Sequence, residues 1–316
     1  MEPIGILIEY KDGQVKKACF GSAAVALRGN GEIFAITVDD PIGDSCNVLE
    51  AFGVNHILKI DAGCGNNPAV QAEAIAAAMN THRIKQLIGL TSPKGRELLP
   101  RVAALLDAPL VMDCIEIDLK NNKAKTTQYS GKTMAAISLT GNHFIYGLRP
   151  NVIAPQQSPV TADIIEFEYK SKPASGFDVI ETRVDGDSAQ SLTEADIIIS
   201  GGRGMKNAGN FKLLFECANL IGASVGASRV AVDNGWVPYS MQVGQTGAKV
   251  NPKLYVAVGL SGSVQHFAGM NTSNMIIAVN TDENAAIINN CDYYTVGDLF
   301  EIIPELTSQL KKLRGQ

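Results

Sequence analysis

Short runs of branched apolar residues alternate with segments of helical period through the first half of the chain. This rhythm is the strongest constraint on what it can fold into. Ile4–Glu9 (IGILIE), Glu32–Val38 (EIFAITV), His56–Ile60, Gln86–Leu90 and Leu110–Met112 predict strands. Val15–Leu27, the alanine-rich Ala69–Met79 and Gly95–Leu106 predict helices between them. A βαβα order predicts a parallel sheet with helices on its faces. After Asp113 the helices stop. Ile115–Leu119, Ala124–Tyr129 and Thr133–Leu139 predict strands joined directly, with Asn121-Asn122 as a hairpin-type turn. The expected result is an antiparallel extension of the first sheet, followed by one more strand at Ile164–Tyr169.

Val184–Thr193 (VDGDSAQSLT) has little apolar content and reads as an inter-domain connector. Beyond it the α/β pattern restarts. Ala195–Ser200, Ser224–Ser228, Leu254–Gly259, Met275–Asn280 and Tyr293–Val296 predict strands. Asn210–Leu220, a segment starting at Ser261–Ala268, and Asp298–Leu313 predict helices; Lys311, Lys312 and Arg314 complement the dipole of the last. The expected class is α/β in two domains. Residues 1–190 form a parallel sheet with an antiparallel extension, and residues 191–316 a doubly wound domain.

Composition excludes several classes. Hydrophobic residues at 46% and charged residues at 19% supply a full core, so a disordered or fibrous chain is excluded. A net charge of −5 argues against nucleic acid as the main partner. The six cysteines include no CxxC pair, and the four histidines no HExxH, so no metal centre is expected. Cys217 and Cys291 read as packing residues, and Asp39-Asp40 as a solvated loop start. No apolar run approaches the ~18 residues of a membrane span. Met1–Tyr10 lacks the basic segment of a secretory signal. A cytoplasmic protein without membrane insertion is the expectation.

Three motif resemblances fail on spacing. Gly131-Lys132-Thr133 ends like a P-loop, but Thr126 stands where the first glycine belongs. Gly259-Leu260-Ser261-Gly262-Ser263 lacks the closing glycine of a nucleophile elbow. Gly201-Gly202-Arg203-Gly204 is not GxGxxG.

Five glycine-rich segments remain, all in the second half and nearly all at predicted strand ends. They are Ser200–Gly204, Gly226–Arg229, Val243–Gly247, Gly259–His266 and Asn280–Asp282. In a doubly wound sheet such loops converge on one crevice, which suggests a single large ligand. Glycine-turn amides and helix N-termini bind anions, and Arg203 and Arg229 add positive charge. Ser228, Gln245, Thr246, Ser261, Gln265 and Asn280 offer donors and acceptors suited to a heteroaromatic edge and sugar hydroxyls. Asp298 suits a ribose diol. An ADP-containing cofactor fits this set. Taken singly, Arg229 could pair with Asp233, His266 could be a satisfied core histidine, and Trp236 reads as packing.

These segments, in this order, closely resemble the alpha subunit of electron-transfer flavoproteins. The resemblance runs from about Ala195 to Leu313 through SGGRGM, VGASRVAVDNGWVP, QVGQTGAKVNPKLYVAVGLSGSVQHFAGM, IIAVN and VGDLFEIIPELT. Leu98–Asp113 (LLPRVAALLDAPLVMD) carries a weaker resemblance to the family's nucleotide-hydrolase-like domain. It implies one FAD in the C-terminal domain, with contacts at Arg203, Ser228, Val243, Gly244, Gln245, Thr246, Ser261, Gly262, Ser263, Val264, Gln265, His266, Asn280, Asp298 and Leu299. It implies Arg229 over the flavin ring, Thr246 at N5 and His266 at the N1/O2 edge, all three tuning the flavin. It further implies a heterodimer with a beta subunit that holds AMP. In electron-bifurcating members, which use NADH and ferredoxin, a second FAD takes that place. Electrons would pass from a donor dehydrogenase, such as an acyl-CoA dehydrogenase of fatty acid oxidation, to a quinone-linked oxidoreductase or other acceptor. The chain would thus be a redox carrier rather than a self-contained enzyme. The iron–sulfur segment of some relatives is not expected, since the first strand begins by Ile4. An NAD-dependent transferase like deoxyhypusine synthase is the alternative of another class, and the catalytic lysine motif it needs is not found.

Overall fold

The computed structural model describes residues 2–11, 13–39, 46–63, 67–129, 131, 133–170 and 192–314. They form two compact units. One is built from residues up to 127 and from 134 to 170, and the other from 192 onward together with 128–133. The expected boundary at 190/191 and most of the 184–193 connector lie outside the described residues, as do Asp40, Cys64 and Lys132.

The first unit contains β1 (Ile4–Leu7), β2 (Tyr10–Lys11), β3 (Gln14–Val15), α1 (Cys19–Leu27), β4 (Ile33–Val38), α2 (Cys46–Glu50), β5 (His56–Asp61) and α3 (Pro68–Thr81). It continues through β6 (Gln86–Leu90), α4 (Pro93–Leu105), β7 (Leu110–Asp118), β8 (Lys123–Gln128), β9 (Thr133–Ser138), β10 (Phe144–Leu148) and β11 (Asp163–Glu168). Helix starts follow from sequence. Asn67 accepts from the Ala69 amide at 3.1 Å, and Ser92 from the Gly95 amide at 2.9 Å. Each is followed by a proline whose fixed φ suits the first helical position.

Nine strands lie in the order β11-β5-β4-β1-β6-β10-β7-β8-β9. From β11 to β7 all neighbours are parallel. β8 folds back antiparallel on β7, as expected of the extension. One apolar cluster, with Cys19, Ala23 and Ile88, lies on one face of the sheet. A second, with Ile75, Met79, Leu99 and Leu87, lies on the other.

Three details differ from expectation. A small hairpin, β2 and β3, precedes α1, so that helix starts at Cys19 rather than Val15. Leu110–Met112 and Ile115–Leu119 are parts of one strand, β7, that passes through Asp113. Asp113 takes a left-handed φ of 60°, and its amide donates to Thr91 Oγ1 at 3.0 Å. Third, β10 was not marked in the sequence, yet it is wholly buried and sits between β6 and β7.

The second unit contains β12 (Ile197–Gly201), α5 (Phe211–Ile221), β13 (Ser224–Ala227), α6 (Arg229–Asp233), β14 (Leu254–Val258), α7 (Val264–Phe267), β15 (Ile276–Asn280), β16 (Tyr293–Val296) and α8 (Leu299–Leu313). Its five strands lie in the order β13-β12-β14-β15-β16, all parallel. α5 and α8 pack on one face around Phe211, Leu214 and Ile303. Val243, Tyr255, Leu260 and Met270 fill the other, with Phe267 of α7 against them. α5 ends at Gly222 in the left-handed conformation, φ 66°, a glycine C-cap. Strand order reverses between β12 and β14, which opens a crevice at their carboxyl ends.

Candidate functional site

The turns leaving β12 and β14 interlock through their backbones. The Gly202 amide donates to the Val258 carbonyl at 2.9 Å, and the Gly204 amide to that of Gly259 at 3.0 Å. A Cβ on Gly202 would stand 2.3 Å from the Gly259 oxygen, so no other residue fits there. Gly262 has φ +77°, and a Cβ on it would meet the Ile287 amide nitrogen at 2.3 Å. These turns, with the loops after β13, β15 and β16, bound a cavity of about 780 Å³.

Three helices begin at its wall. Ser228 Oγ accepts from the Ala231 amide at 3.4 Å, Ser263 Oγ from His266 at 3.4 Å, and Asp298 from Phe300 at 2.9 Å. The segment Val243–Thr246 is fixed from both sides. The Val243 amide donates to Ala227 at 2.9 Å, and the Gln245 amide to Gln265 at 2.8 Å. Gln242 Nε2 donates to Thr246 Oγ1 at 3.0 Å. The Thr246 hydroxyl therefore accepts from the protein and keeps its own proton for the cavity. Asn280 Nδ2 donates to the Leu260 carbonyl at 2.8 Å.

The cations differ in their pairing. Arg229 Nε lies 3.2 Å from Asp233 Oδ2, the structural pair that sequence alone left open. Arg203 has no carboxylate partner among the described residues. Lys206 sits with Nζ 4.7 Å from the Phe300 ring centroid. His266 is buried, and its Nε2 is 2.9 Å from Tyr255 Oη. Burial pushes its pKa down to about 4, against a smaller opposing effect of the Val243 backbone, so the ring is neutral.

Every residue that the sequence assigned to the cofactor lines this cavity except Val264. Val264 opens α7 with its side chain 46% exposed, outside the lining. Lys206, Gln242 and Phe300 also line it and were not singled out. Each lies within three residues of one that was, and that adjacency was the available signal. Cys19, Cys114 and Cys217 are buried and Cys291 is half-buried.

A parallel α/β unit with glycine turns around a crevice at the reversal of strand order defines a nucleotide- or flavin-binding domain. The comparisons agree. Residues 191–271 match the Electron transfer flavoprotein FAD-binding domain model, and residues 4–172 the Electron transfer flavoprotein domain model. An electron transfer flavoprotein subunit alpha of Syntrophomonas wolfei is 33% identical, covering 97% of this chain and 98% of its own. One from Megasphaera elsdenii is 35% identical over 99% and 97%, and one from Bacillus subtilis 32% over 98% and 97%. The chain belongs to the electron transfer flavoprotein alpha subunit family.

The cavity fits the FAD that such a domain takes. Its volume is within the ordinary range for a ligand site, its rim carries Arg203, which has no carboxylate partner among the described residues, and its lining holds the donors and acceptors of Ser228, Gln245, Thr246, Ser261 and Asn280. Among the described residues no helix is long and apolar enough to cross a membrane.

Proposed function

We propose that the chain holds one FAD in this cavity and acts as the alpha subunit of a cytoplasmic heterodimer. The heterodimer relays electrons from a dehydrogenase, such as an acyl-CoA dehydrogenase, to a quinone-linked oxidoreductase or other acceptor. The beta subunit carries AMP, or a second flavin in a bifurcating variant. The observation that supports this most is the convergence of five separate loops on one cavity whose donors suit a dinucleotide.

When bound, FAD supplies the electron chemistry, and the chain supplies binding and electrostatics. Arg203 and the Ser261 hydroxyl, carried by the two interlocked turns, hold the diphosphate. Asn280 and Asp298 take the sugar hydroxyls. Thr246 offers its free hydroxyl proton to the ring, and Arg229, held at the rim by Asp233, brings positive charge near it. β9 supports a partner chain. It is the outer strand of the nine-stranded sheet, with Met134 70% exposed, and an open strand edge invites pairing.

Co-expression with the beta subunit, followed by gel filtration and a visible spectrum, tests the reading. A yellow 1:1 heterodimer with flavin bands is expected. A colourless complex that takes up no added FAD would overturn the cofactor assignment, and a stable monomer in the presence of the beta subunit would overturn the partner.

A further inference from the structure

The turn that carries Arg203 runs on into a strained position. Lys206 has φ 69° and ψ −37°, outside the left-handed helical region as well as the right-handed one. The Asn207 amide donates across it to the Met205 carbonyl at 2.8 Å. A bond that spans one residue whose φ has this sign closes the strained form of the γ-turn, rare for any residue with a side chain. Its neighbours hold it there. The Lys206 amide donates to the Arg203 carbonyl at 3.1 Å, and Asn210 Nδ2 to that of Met205 at 2.7 Å. Glycine would take this conformation freely.

The lysine finds little nearby to offset the strain. Its side chain is exposed, with Nζ 4.7 Å from the Phe300 ring centroid and no carboxylate partner among the described residues. An exposed cation–π contact is weaker than the cost of such a backbone. Strain of this kind persists where a ligand uses the side chain. Lys206 and Phe300 both line the cavity. The charge of the lining says what a cation there is for. Arg203, Lys206 and Arg229 stand against the carboxylates of Asp233, Asp282 and Asp298. Arg229 is taken by Asp233. Without Lys206 the lining would be net negative, which opposes a ligand that brings two negative charges on a diphosphate.

We propose that Lys206 is a second cation for the diphosphate of the bound dinucleotide, presented by the γ-turn after Arg203 and parked over Phe300 until the ligand enters. This rests on the reading of the cavity as the FAD site. The lysine stem is flexible, so passing from the ring face to a phosphate oxygen needs only rotamer changes. Phe300 keeps the ammonium at the cavity rather than in bulk solvent. Two cations against two phosphate charges make the site selective for a flavin that carries a diphosphate over one that carries none.

The test is fluorimetric titration of FAD and of riboflavin into the flavin-free heterodimer at low and high salt, with thermal unfolding of the unliganded proteins. Lys206→Met keeps the backbone and most of the stem; Lys206→Gly removes the side chain and the strain together. Lys206→Met should raise the FAD dissociation constant roughly tenfold at low salt, one charge-assisted bond's worth, and by less at high salt. Riboflavin, which has the ring and no phosphate, should bind both proteins alike. Lys206→Gly should weaken FAD to the same extent, yet melt a few degrees above the wild type without ligand. An FAD affinity unchanged by Lys206→Met would overturn the proposal. So would an equal loss of riboflavin affinity, which would set Lys206 against the ring or the wall, or a glycine variant that melts no higher than the wild type. A wild-type complex that takes up no FAD would instead overturn the reading of the cavity.

Discussion

Arg203→Ala should separate cofactor binding from folding. Arg203 is exposed at the cavity rim and has no carboxylate partner among the described residues, so its truncation removes no internal pair. A surface substitution of this kind changes the stability of the unliganded protein by no more than about 0.5 kcal/mol. If the guanidinium holds the diphosphate, the lost charge-assisted bond is worth about 1.5–3 kcal/mol, a fall in FAD affinity of roughly 10- to 150-fold. In excess FAD the ligand's contribution to stability falls by the same free energy, which lowers the liganded melting temperature by several degrees. The assay is thermal unfolding with and without FAD, paired with fluorimetry of FAD released on dilution. The expected pattern is an unchanged unliganded midpoint, a lowered liganded one and faster release. An unchanged dissociation constant would remove Arg203 from the phosphate role. An equal drop in both midpoints would show that it acts on the fold.

Gly262→Ala combines a left-handed φ with a Cβ 2.3 Å from the Ile287 nitrogen. The backbone term alone is about 1–2 kcal/mol, so calorimetry should show a lower melting temperature and fluorimetry reduced FAD retention; an unchanged melting temperature would contradict it. In the first unit, buried Arg149 meets Asp113 through Nε at 2.8 Å and Nη2 at 2.9 Å, and Nη2 also reaches Thr127 Oγ1 at 2.7 Å. Arg149→Met strands a largely buried carboxylate and should destabilise by about 3–5 kcal/mol in urea unfolding. Adding Asp113→Asn should restore part of that, and no recovery would mean that Arg149 acts through packing instead.

The βα rhythm of the first unit was legible because its runs of branched residues are buried on both faces, as in β4. β10 escaped for a physical reason. Parallel strands are usually announced by a crossover helix, but here the β8–β9 hairpin fills the connection between β7 and β10. Asp113 hid the continuity of β7, since a left-handed aspartate looks like a strand end. α6 and α7, of five and four residues, are too short to show helical period. In the site, the glycine turns were readable because close backbone approach permits only that residue. Tyr255 was not. Its apolar neighbours from Leu254 to Val258 give it the pattern of a core strand residue, and its contact with His266 exists only once the chain from 255 to 266 has turned back on itself.

The strand order of the first unit sets a timetable for its assembly. β10 must enter between β6 and β7, pairing Ile145 with both Leu87 and Leu110. β11 closes the opposite edge by setting Asp163 beside His56. The middle of the sheet and one of its margins are therefore supplied by its last two strands. Until residue 148 has left the ribosome, β6 and β7 have no strand to join them, and their apolar edges stay open to wrong partners. Pairings so distant in sequence close large loops and fold slowly. In the second unit β13 adds to one edge of β12 and β14 to the other, so no later strand has to enter between two earlier ones. During synthesis the N-terminal unit is thus the one exposed to misassembly, and lowering the temperature or supplying a chaperone should raise the yield by protecting that half of the chain.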